Sequence, residues 1–268
     1  MRLLITVILF ALTTTLSATA QQRVGIAYYD VGRLYDTEPS QFYDDSPYTP
    51  SGENRWGESR YRRKVEHIAA VIDSMQMPIV ALYGVENEAV VRDIVTASEQ
   101  DYNYIHRTID FYDGLDFALL YFGDCFFVEQ IRSSNYSLYV AGEIYGSMVE
   151  FHFTRWGKYL YSLYTPVDYY TPDARVVCGF LTAQDMERLE IEDLLLRAER
   201  QGYGDSRGDK GWYFNGRIGS DRAVDGGVYI TEWLLSKERD RPLPTFTRKR
   251  YEGGYSSHLP IYIILELK

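Results

Sequence analysis

Near its C-terminus the chain reads Gly253-Gly254-Tyr255-Ser256-Ser257-His258-Leu259-Pro260, and an apolar run follows at once. The run extends to Leu267 and is rich in Ile, Leu and Tyr, which is typical of a buried closing strand. His258 therefore stands between a turn of small residues and the start of a strand. Because rigid sheets often present functional side chains at the ends of their strands, His258 is the first candidate functional residue.

The rest of the chain alternates short apolar runs with a few amphipathic stretches. The apolar runs predict strands at 24–29, 78–85, 102–106, 116–122, 125–130, 137–141, 148–154 and 175–181. Helical spacing predicts helices at 60–75, 87–97 and 185–201, and the glycine-rich stretch 202–227 is predicted to be a loop. Strands outnumber helices and the helices are spread between them, which favours one α/β sandwich over two domains.

The composition is that of a globular protein with an acidic balance. The 268 residues carry a formal net charge of −10 at pH 7. This general field argues against broad, non-specific binding of nucleic acid, although a bound cation would reverse the field locally. Tyrosine is frequent, with 25 residues against 12 Phe, which suits half-buried strands. A carbohydrate-binding surface is an alternative explanation of the tyrosines. The two cysteines, Cys125 and Cys178, are either buried thiols or a disulfide.

The N-terminus has the pattern of a secretory signal peptide. Arg2 precedes an apolar stretch at 3–12, and Ala18-Thr19-Ala20 matches a cleavage site. The apolar stretch is too short for a transmembrane span, and no later segment is long and apolar enough to form one. We therefore expect cleavage after Ala20 and a secreted or periplasmic protein with a single domain at 21–268.

Five segments, in a fixed order, carry motifs of one known family. They lie at 29–36, 48–68, 79–87, 114–121 and 250–262. The third reads Ile79-Val80-Ala81-Leu82-Tyr83-Gly84-Val85-Glu86-Asn87, similar to Ile-Val-Gly-Leu-x-Glu-Val-Glu-Asn. The last contains Ser256-Ser257-His258-Leu259-Pro260, similar to Ser-Asp-His-Leu-Pro. The chain thereby resembles the endonuclease/exonuclease/phosphatase superfamily, and most closely its secreted bacterial branch.

This resemblance implies both a fold and a chemistry. The implied fold is α/β: a four-layer α-β-β-α sandwich of the DNase-like type, with two mostly antiparallel mixed sheets packed face to face. The implied chemistry is hydrolysis of phosphoester bonds with a divalent cation, which a carboxylate holds through its hard oxygen atoms. In the family an Asp–Asn pair orients the attacking water, and two histidines contact the phosphate or transfer protons.

Several of the family's catalytic positions are replaced in this chain. The metal-binding glutamate falls on Gly84, and the aspartate before the closing histidine falls on Ser257. The Gly-Asp-Phe-Asn motif falls on Gly179-Phe180-Leu181-Thr182, so Phe180 stands where the family has its water-orienting aspartate. The leading hypothesis is therefore a non-catalytic binding or interaction module for which no cofactor is expected. The sequence does not identify its partner, and we expect a monomer.

Other positions of the family pattern are retained. The resemblance matches His152 and His258 to the two catalytic histidines. Asn87 and Asp116 also match, and they are candidate substrate-binding residues. Asp221 is a candidate carboxylate partner for one of the histidines, with a plain loop role as the alternative.

An active phosphodiesterase or nuclease with a rearranged metal site is the alternative hypothesis. Residues two apart on a strand face the same side. Glu86 would then replace the ligand that is missing at Gly84 and would bind Mg²⁺ or Mn²⁺ together with Asp30 and Asp36. A structural hydrogen bond is the simpler interpretation of Glu86. Only under this alternative is the partner a phosphoester or nucleic-acid substrate.

Overall fold

The computed structural model describes residues 21–109, 112–159, 171–236 and 241–268. The predicted signal peptide at 1–20 therefore lies outside the described residues. Within these four ranges, no helix is long and apolar enough to cross a membrane.

The elements are numbered in chain order. The strands are β1 (Gln22–Leu34), β2 (Ile79–Val85), β3 (Tyr102–His106), β4 (Asp116–Phe122), β5 (Phe126–Ser134), β6 (Ser137–Ile144), β7 (Ser147–Thr154), β8 (Ala174–Gly179), β9 (Ser206–Gly208), β10 (Gly211–Tyr213), β11 (Arg217–Ser220), β12 (Ala223–Val228), β13 (Leu235–Ser236), β14 (Arg241–Pro242), β15 (Phe246–Thr247), β16 (Arg250–Tyr251) and β17 (Ile261–Leu267). The helices are α1 (Glu58–Met75), α2 (Glu88–Ala97), α3 (Ala183–Arg188) and α4 (Leu195–Arg200). Short 3-10 turns span Ser46–Tyr48, Gly157–Tyr159 and Glu232–Leu234.

Two large mixed sheets contain most of these strands. The first sheet has the order β12-β17-β1-β2-β4-β3, and the second has the order β11-β8-β7-β6-β5. The pairs β1–β2 and β7–β8 are parallel, whereas the other pairs in both sheets are antiparallel. The short strands β9–β10, β13–β14 and β15–β16 pair as separate two-stranded ribbons.

The sheets pack face to face because each strand alternates its side chains between two apolar environments. Ile26 and Phe151 are fully buried between the two sheets. The opposite face of the first sheet packs against α1 and α2, where Ile68 is fully buried. Burial of a side chain of this size contributes about 1.5–3 kcal/mol. Val177 and Met186 form a smaller cluster where α3 covers the second sheet. The result is an α-β-β-α sandwich, and the predicted fold class is confirmed.

Two predicted elements differ from the structure. The predicted helix at 185–201 is split into α3 and α4, because Glu190 has a φ of 57° in the left-handed region, which interrupts a right-handed helix. The predicted loop at 202–227 contains β9, β10, β11 and β12, which have three to six residues each and are too short to show a clear alternation. Cys125 and Cys178 are both buried free thiols.

Candidate functional site

A cleft opens where strand ends of both sheets meet. It has a volume of about 360 Å³. Asp30 of β1, Tyr83 of β2 and His258 from the loop before β17 line it, together with Phe180, which follows β8. Lys64 reaches the cleft from α1. The cleft is thus built by segments that are distant in sequence, and three of its lining residues (Phe180, Ser257 and His258) occupy catalytic positions of the family pattern.

His258 is held between two side chains. Its Nδ1 atom lies 2.6 Å from the Ser206 hydroxyl, and its Nε2 atom lies 3.5 Å from a carboxylate oxygen of Asp30. The Ser256 hydroxyl accepts a hydrogen bond from the backbone N–H of His258 (3.2 Å) and donates one to the backbone carbonyl of Asp30 (2.7 Å). The first serine of the motif therefore ties this loop to β1 and fixes the imidazole at the cleft.

Asp30 is a buried carboxylate whose two oxygens already have partners from the protein. Its Oδ1 accepts from the Gly32 N–H at 2.8 Å. Its Oδ2 faces His258 and accepts from the Asn215 side-chain amide at 3.4 Å. Burial raises the pKa of Asp30, while the neighbouring His258 and the Gly32 N–H oppose that rise.

Asp205 is a site residue that sequence reasoning missed. It is 2% exposed and accepts hydrogen bonds from the backbone N–H groups of Asn215 (2.7 Å) and Gly216 (3.1 Å). Burial raises its pKa, and His258 is the strongest influence in the opposite direction. Its backbone carbonyl also accepts from the N–H of Leu259 at 2.7 Å, next to His258. Asp205 thus fixes two loops around the histidine, and its position before a three-residue strand gave no sequence signal for this role.

Position 84, where the family has its metal-binding glutamate, has no room for a side chain. Gly84 has a φ of +94°, in the left-handed region that favours glycine. A Cβ atom there would lie 2.0 Å from the backbone carbonyl oxygen of Gly32. The β1–β2 and β2–β4 pairings both shift register at this point, so the close approach belongs to a bulge. A carboxylate does not fit at this position unless the backbone moves.

Aromatic packing occupies the place of the water-orienting aspartate. The Phe180 and Tyr83 rings meet edge to face with their centroids 4.7 Å apart. Thr182, at the motif's asparagine position, is the N-cap of α3, and its hydroxyl accepts from the N–H of Asp185 at 3.2 Å. Phe180 has no polar group to orient a water molecule, and the Thr182 hydroxyl is engaged in its helix cap.

Glu86 lies in a second cavity and not in the cleft. Its Oε2 accepts from the backbone N–H of Asp36 at 2.5 Å, and its Oε1 accepts from the Tyr43 hydroxyl at 2.8 Å. Burial raises the pKa of Glu86 to about 7. The structure therefore does not join Glu86 to Asp30 in one metal site, contrary to the alternative hypothesis. The bulge at Gly84 interrupts the two-residue alternation, so the two carboxylates line different cavities.

Asn87 and Asp116, the candidate substrate-binding residues, hold backbone segments in place. Asn87 caps α2 by accepting from the Val90 N–H at 3.1 Å, and its amide donates to Asp36 at 2.9 Å. Asp116 accepts from the Ile109 N–H at 2.7 Å and lies 2.9 Å from the His106 Nε2 atom. Neither side chain lines the cleft that contains His258, so the structure does not support the expected substrate contact.

His152 also lies away from the cleft. Its neighbours Phe151 and Phe153 point into the core between the sheets, so the His152 side chain faces the outer side of the second sheet. There its Nε2 atom lies 3.2 Å from Glu150, and its ring packs against Tyr139. The expectation that His152 serves the same site as His258 is corrected, because a shift of one residue along a strand reverses the face of the side chain.

Asp221 follows β11, at the end away from the cleft. Its Oδ1 accepts from the Arg175 N–H at 2.9 Å and from the Ser220 hydroxyl at 3.3 Å. In the same strand Arg217 pairs with Gly179 next to the cleft, whereas Ser220 pairs with Val176 further away. The structure therefore does not place Asp221 beside either histidine, and its observed contacts match the plain loop role.

The side chains of the cleft do not fit a divalent cation. Across the described ranges, no group of three or more His, Cys, Asp or Glu side chains is arranged to hold a metal ion. Gly84 supplies no ligand, and the oxygens of Asp30 have protein partners. This donor set does not match the near-octahedral oxygen coordination that Mg²⁺ demands.

Cationic side chains line much of the cleft. Arg33, Lys64 and Arg248 are among its lining residues, and burial lowers the pKa of Lys64 to about 7. The carboxylate of Asp113, which also lines the cleft, is bound by the Arg155 guanidinium through two hydrogen bonds of 2.6 Å. This pairing neutralises Asp113. The cleft therefore favours an anion, although the whole chain is acidic.

Arg248 occupies a strained turn at the cleft. It lies between β15 and β16 with a φ of 56°, a conformation that is uncommon for a residue with a side chain. Such strain persists where the surrounding structure holds it, and it is concentrated at functional sites. The turn brings the Arg248 guanidinium to the cleft that contains Asp30 and His258.

Comparisons with known proteins agree with this fold. A family model described as the Endonuclease/Exonuclease/phosphatase family matches residues 25–154. An endonuclease/exonuclease/phosphatase from Bacteroides vulgatus superposes with a TM-score of 0.59 at 11% identity, over 92% of this chain and 100% of that chain. Truncated TDP2 from Caenorhabditis elegans superposes with a TM-score of 0.58 at 11% identity, over 91% of this chain and 98% of that chain. Beta toxin from Staphylococcus aureus superposes with a TM-score of 0.55 at 12% identity, over 90% of this chain and 99% of that chain.

A search of curated protein sequences returned no significant match. The family model covers β1 to β7, which include Asp30 and Gly84, and the structural similarity extends over the rest of the sandwich. The family model and these structures share the fold of this chain, and with the order of the motifs they support its assignment to the endonuclease/exonuclease/phosphatase superfamily.

Proposed function

We propose that the chain is an exported, non-hydrolytic member of its superfamily that binds a small phosphate ester in the cleft. The observation that carries this proposal is the close approach of Gly84 to the Gly32 carbonyl oxygen, which leaves no space for the carboxylate that would hold a catalytic cation. Phe180 and Ser257 replace two further groups of the family's hydrolytic site.

The expected loss of catalysis is large. Removal of one positioned acid or base typically lowers a rate by about 10²–10⁴-fold. The metal carboxylate, the water-orienting aspartate and the aspartate beside the histidine are all replaced in this chain, at Gly84, Phe180 and Ser257. Groups that act as a unit do not contribute additively, so the three losses do not multiply. One loss of this size is already enough to remove useful turnover.

The groups that remain suit a phosphate. Arg33 and Arg248 offer planar guanidinium donors, and Lys64 offers a compact positive charge. A volume of about 360 Å³ is at the small end of the range for small-molecule sites. The net charge of −10 disfavours a long polyanion such as nucleic acid. A short phosphate ester satisfies both the local and the overall charge.

Two measurements on residues 21–268 test this proposal. Hydrolysis of bis(4-nitrophenyl) phosphate should stay at the buffer rate with Mg²⁺ or Mn²⁺, while calorimetry should detect binding of phenyl phosphate. Arg248→Ala should weaken that binding about tenfold, because it removes a charged donor from the cleft. Arg250→Ala is the matched control, since Arg250 belongs to the same hairpin but pairs with Glu252 outside the cleft.

A metal-dependent rate that His258→Ala abolishes would contradict the proposal and favour the active phosphodiesterase. Failure of phenyl phosphate to bind would contradict the proposed ligand class.

Export is proposed from residues 1–20 alone. N-terminal sequencing of the protein recovered from the periplasm or the culture medium should begin at Gln21. Protein that retains Met1 and stays in the cytoplasm would contradict export.

A further inference from the structure

Lys64 is a lysine buried in an apolar helix face. It belongs to α1, where its neighbours Tyr61, Val65 and Ile68 pack against the first sheet. Lys64 is only 3% exposed. An ammonium group in such a place loses most of its hydration, which is unfavourable unless another charge or a set of hydrogen bonds replaces the water.

The ammonium group of Lys64 points into the cleft. Its Nζ atom lies 3.6 Å from the point where a Cβ of Gly32 would be, and the Ser256 hydroxyl oxygen is equally far from that point. Gly32 also supplies the carbonyl oxygen that excludes a side chain at Gly84. The ammonium therefore lies beside Gly32, the residue whose carbonyl oxygen closes position 84 to a side chain.

Few groups of the protein stabilise the charge of this buried ammonium. Asp30 is the charged residue that acts on it, but the carboxylate of Asp30 is already engaged by Gly32, Asn215 and His258. None of the hydrogen bonds and ion pairs found among the described residues involves the Lys64 ammonium. A buried cation without an ion-pair partner, aimed into a cleft, is a site for an anion.

We propose that the ammonium group of Lys64 takes the role of the divalent cation, so that the cleft binds a phosphate group without metal. This inference rests on the proposed function and names the device by which the site holds its ligand. A side chain of α1 then supplies the positive charge that, in the family, comes from a cation held by a carboxylate at position 84. Arg33 and Arg248 line the same cleft and supply further donors to the phosphate oxygens.

Calorimetric titration of residues 21–268 with phenyl phosphate tests this inference. Wild type should bind with the same affinity in EDTA and in excess Mg²⁺. Lys64→Met keeps the length of the side chain and removes its charge, and it should weaken binding about ten- to hundredfold. Arg63→Met is the matched control, because Arg63 precedes Lys64 on the same helix, is exposed and carries the same charge. Its affinity should equal that of wild type.

The outcomes separate the two proposals. If wild type binds phenyl phosphate only when Mg²⁺ is present, Lys64 does not replace the cation, and the proposed function stands. If Lys64→Met binds as tightly as wild type, the inference is also refuted and the proposed function again stands. If phenyl phosphate binds under neither condition, the proposed function fails, and the inference fails with it.

The stability of the variant supplies an independent readout. A buried methionine carries no desolvation penalty, so Lys64→Met should unfold at a urea concentration equal to or higher than that of wild type. A lower midpoint would show that Lys64 is structural and would overturn the inference. The comparison of EDTA with Mg²⁺ uses wild type alone, so binding that requires Mg²⁺ refutes the inference whatever the stability of the variant.

Discussion

Replacement of Gly84 by alanine tests the contact on which the loss of metal chemistry depends. The substitution adds one Cβ atom to a residue with a φ of +94°. A left-handed conformation costs about 1–2 kcal/mol for a residue with a side chain. The added atom also lies 2.0 Å from the Gly32 carbonyl oxygen, and relief of such an overlap in a packed region costs about 1–3 kcal/mol. We therefore expect Gly84→Ala to lower the free energy of unfolding by about 2–5 kcal/mol.

Gly202→Ala separates the two contributions. Gly202 has a similar φ of +81°, but no atom lies within 4 Å of its Cβ position. This variant should therefore lose only the conformational part, about 1–2 kcal/mol. Urea unfolding of both variants, followed by tryptophan fluorescence, gives the two values at an unchanged dependence on denaturant.

Equal losses in the two variants, within about 0.5 kcal/mol, would refute the reasoning. The close approach of Gly84 to Gly32 would then be absent in solution, and position 84 would be free to hold a carboxylate. In that case Gly84→Glu would be expected to fold normally and to bind Mn²⁺. With the contact present, Gly84→Glu should be at least as destabilised as Gly84→Ala.

Three further predictions concern other parts of the fold. Phe180→Asp should lose about 1–3 kcal/mol of unfolding free energy, because it removes the edge-to-face contact with Tyr83, and it should show no Mn²⁺-dependent hydrolysis of bis(4-nitrophenyl) phosphate. Burial raises the pKa of Glu86 from 4.5 to about 7, so its contribution to stability declines as the pH rises through that range. Between these pH values the unfolding free energy of Glu86→Gln should therefore decrease by about 1–3 kcal/mol less than that of wild type, as measured by urea titrations. An equal decrease in the two proteins would contradict this. Arg217→Met leaves the buried Asp193 without its 3.2 Å ion pair and should cost about 3–5 kcal/mol, whereas a loss below about 1 kcal/mol would show that water reaches Asp193.

The sandwich could be predicted from the sequence because its strands are long and strongly patterned. The predicted strands at 102–106 and 116–122 have the same bounds as Tyr102–His106 and Asp116–Phe122 in the structure. The prediction failed where a single backbone angle decides the outcome. Apolar spacing across 185–201 is helical, yet Glu190 adopts a left-handed conformation that the pattern does not encode.

The candidate site was harder to predict than the fold. The motif before β17 led directly to His258, which lines the cleft. The groups around it come from residues that only the folded chain brings together: Ser206 and Asp205 are distant in sequence and match no catalytic pattern. The two-residue alternation of a strand predicted that Glu86 lies in one metal site with Asp30, and that rule assumes an unbroken strand. The bulge at Gly84 breaks the strand, so the rule did not apply.

The position of β17 has a consequence for the order in which the protein assembles. This strand lies between β1 and β12, so residues 22–34 remain without their neighbour on that side until residues 261–267 have been synthesised. Contacts that span so much of the chain form slowly. The loop that carries His258 reaches Asp30 only when β17 docks, so the cleft is completed late in folding. Under the proposed export, a chain that is passing through a membrane channel would therefore stay open and ligand-free until nearly all of it had passed.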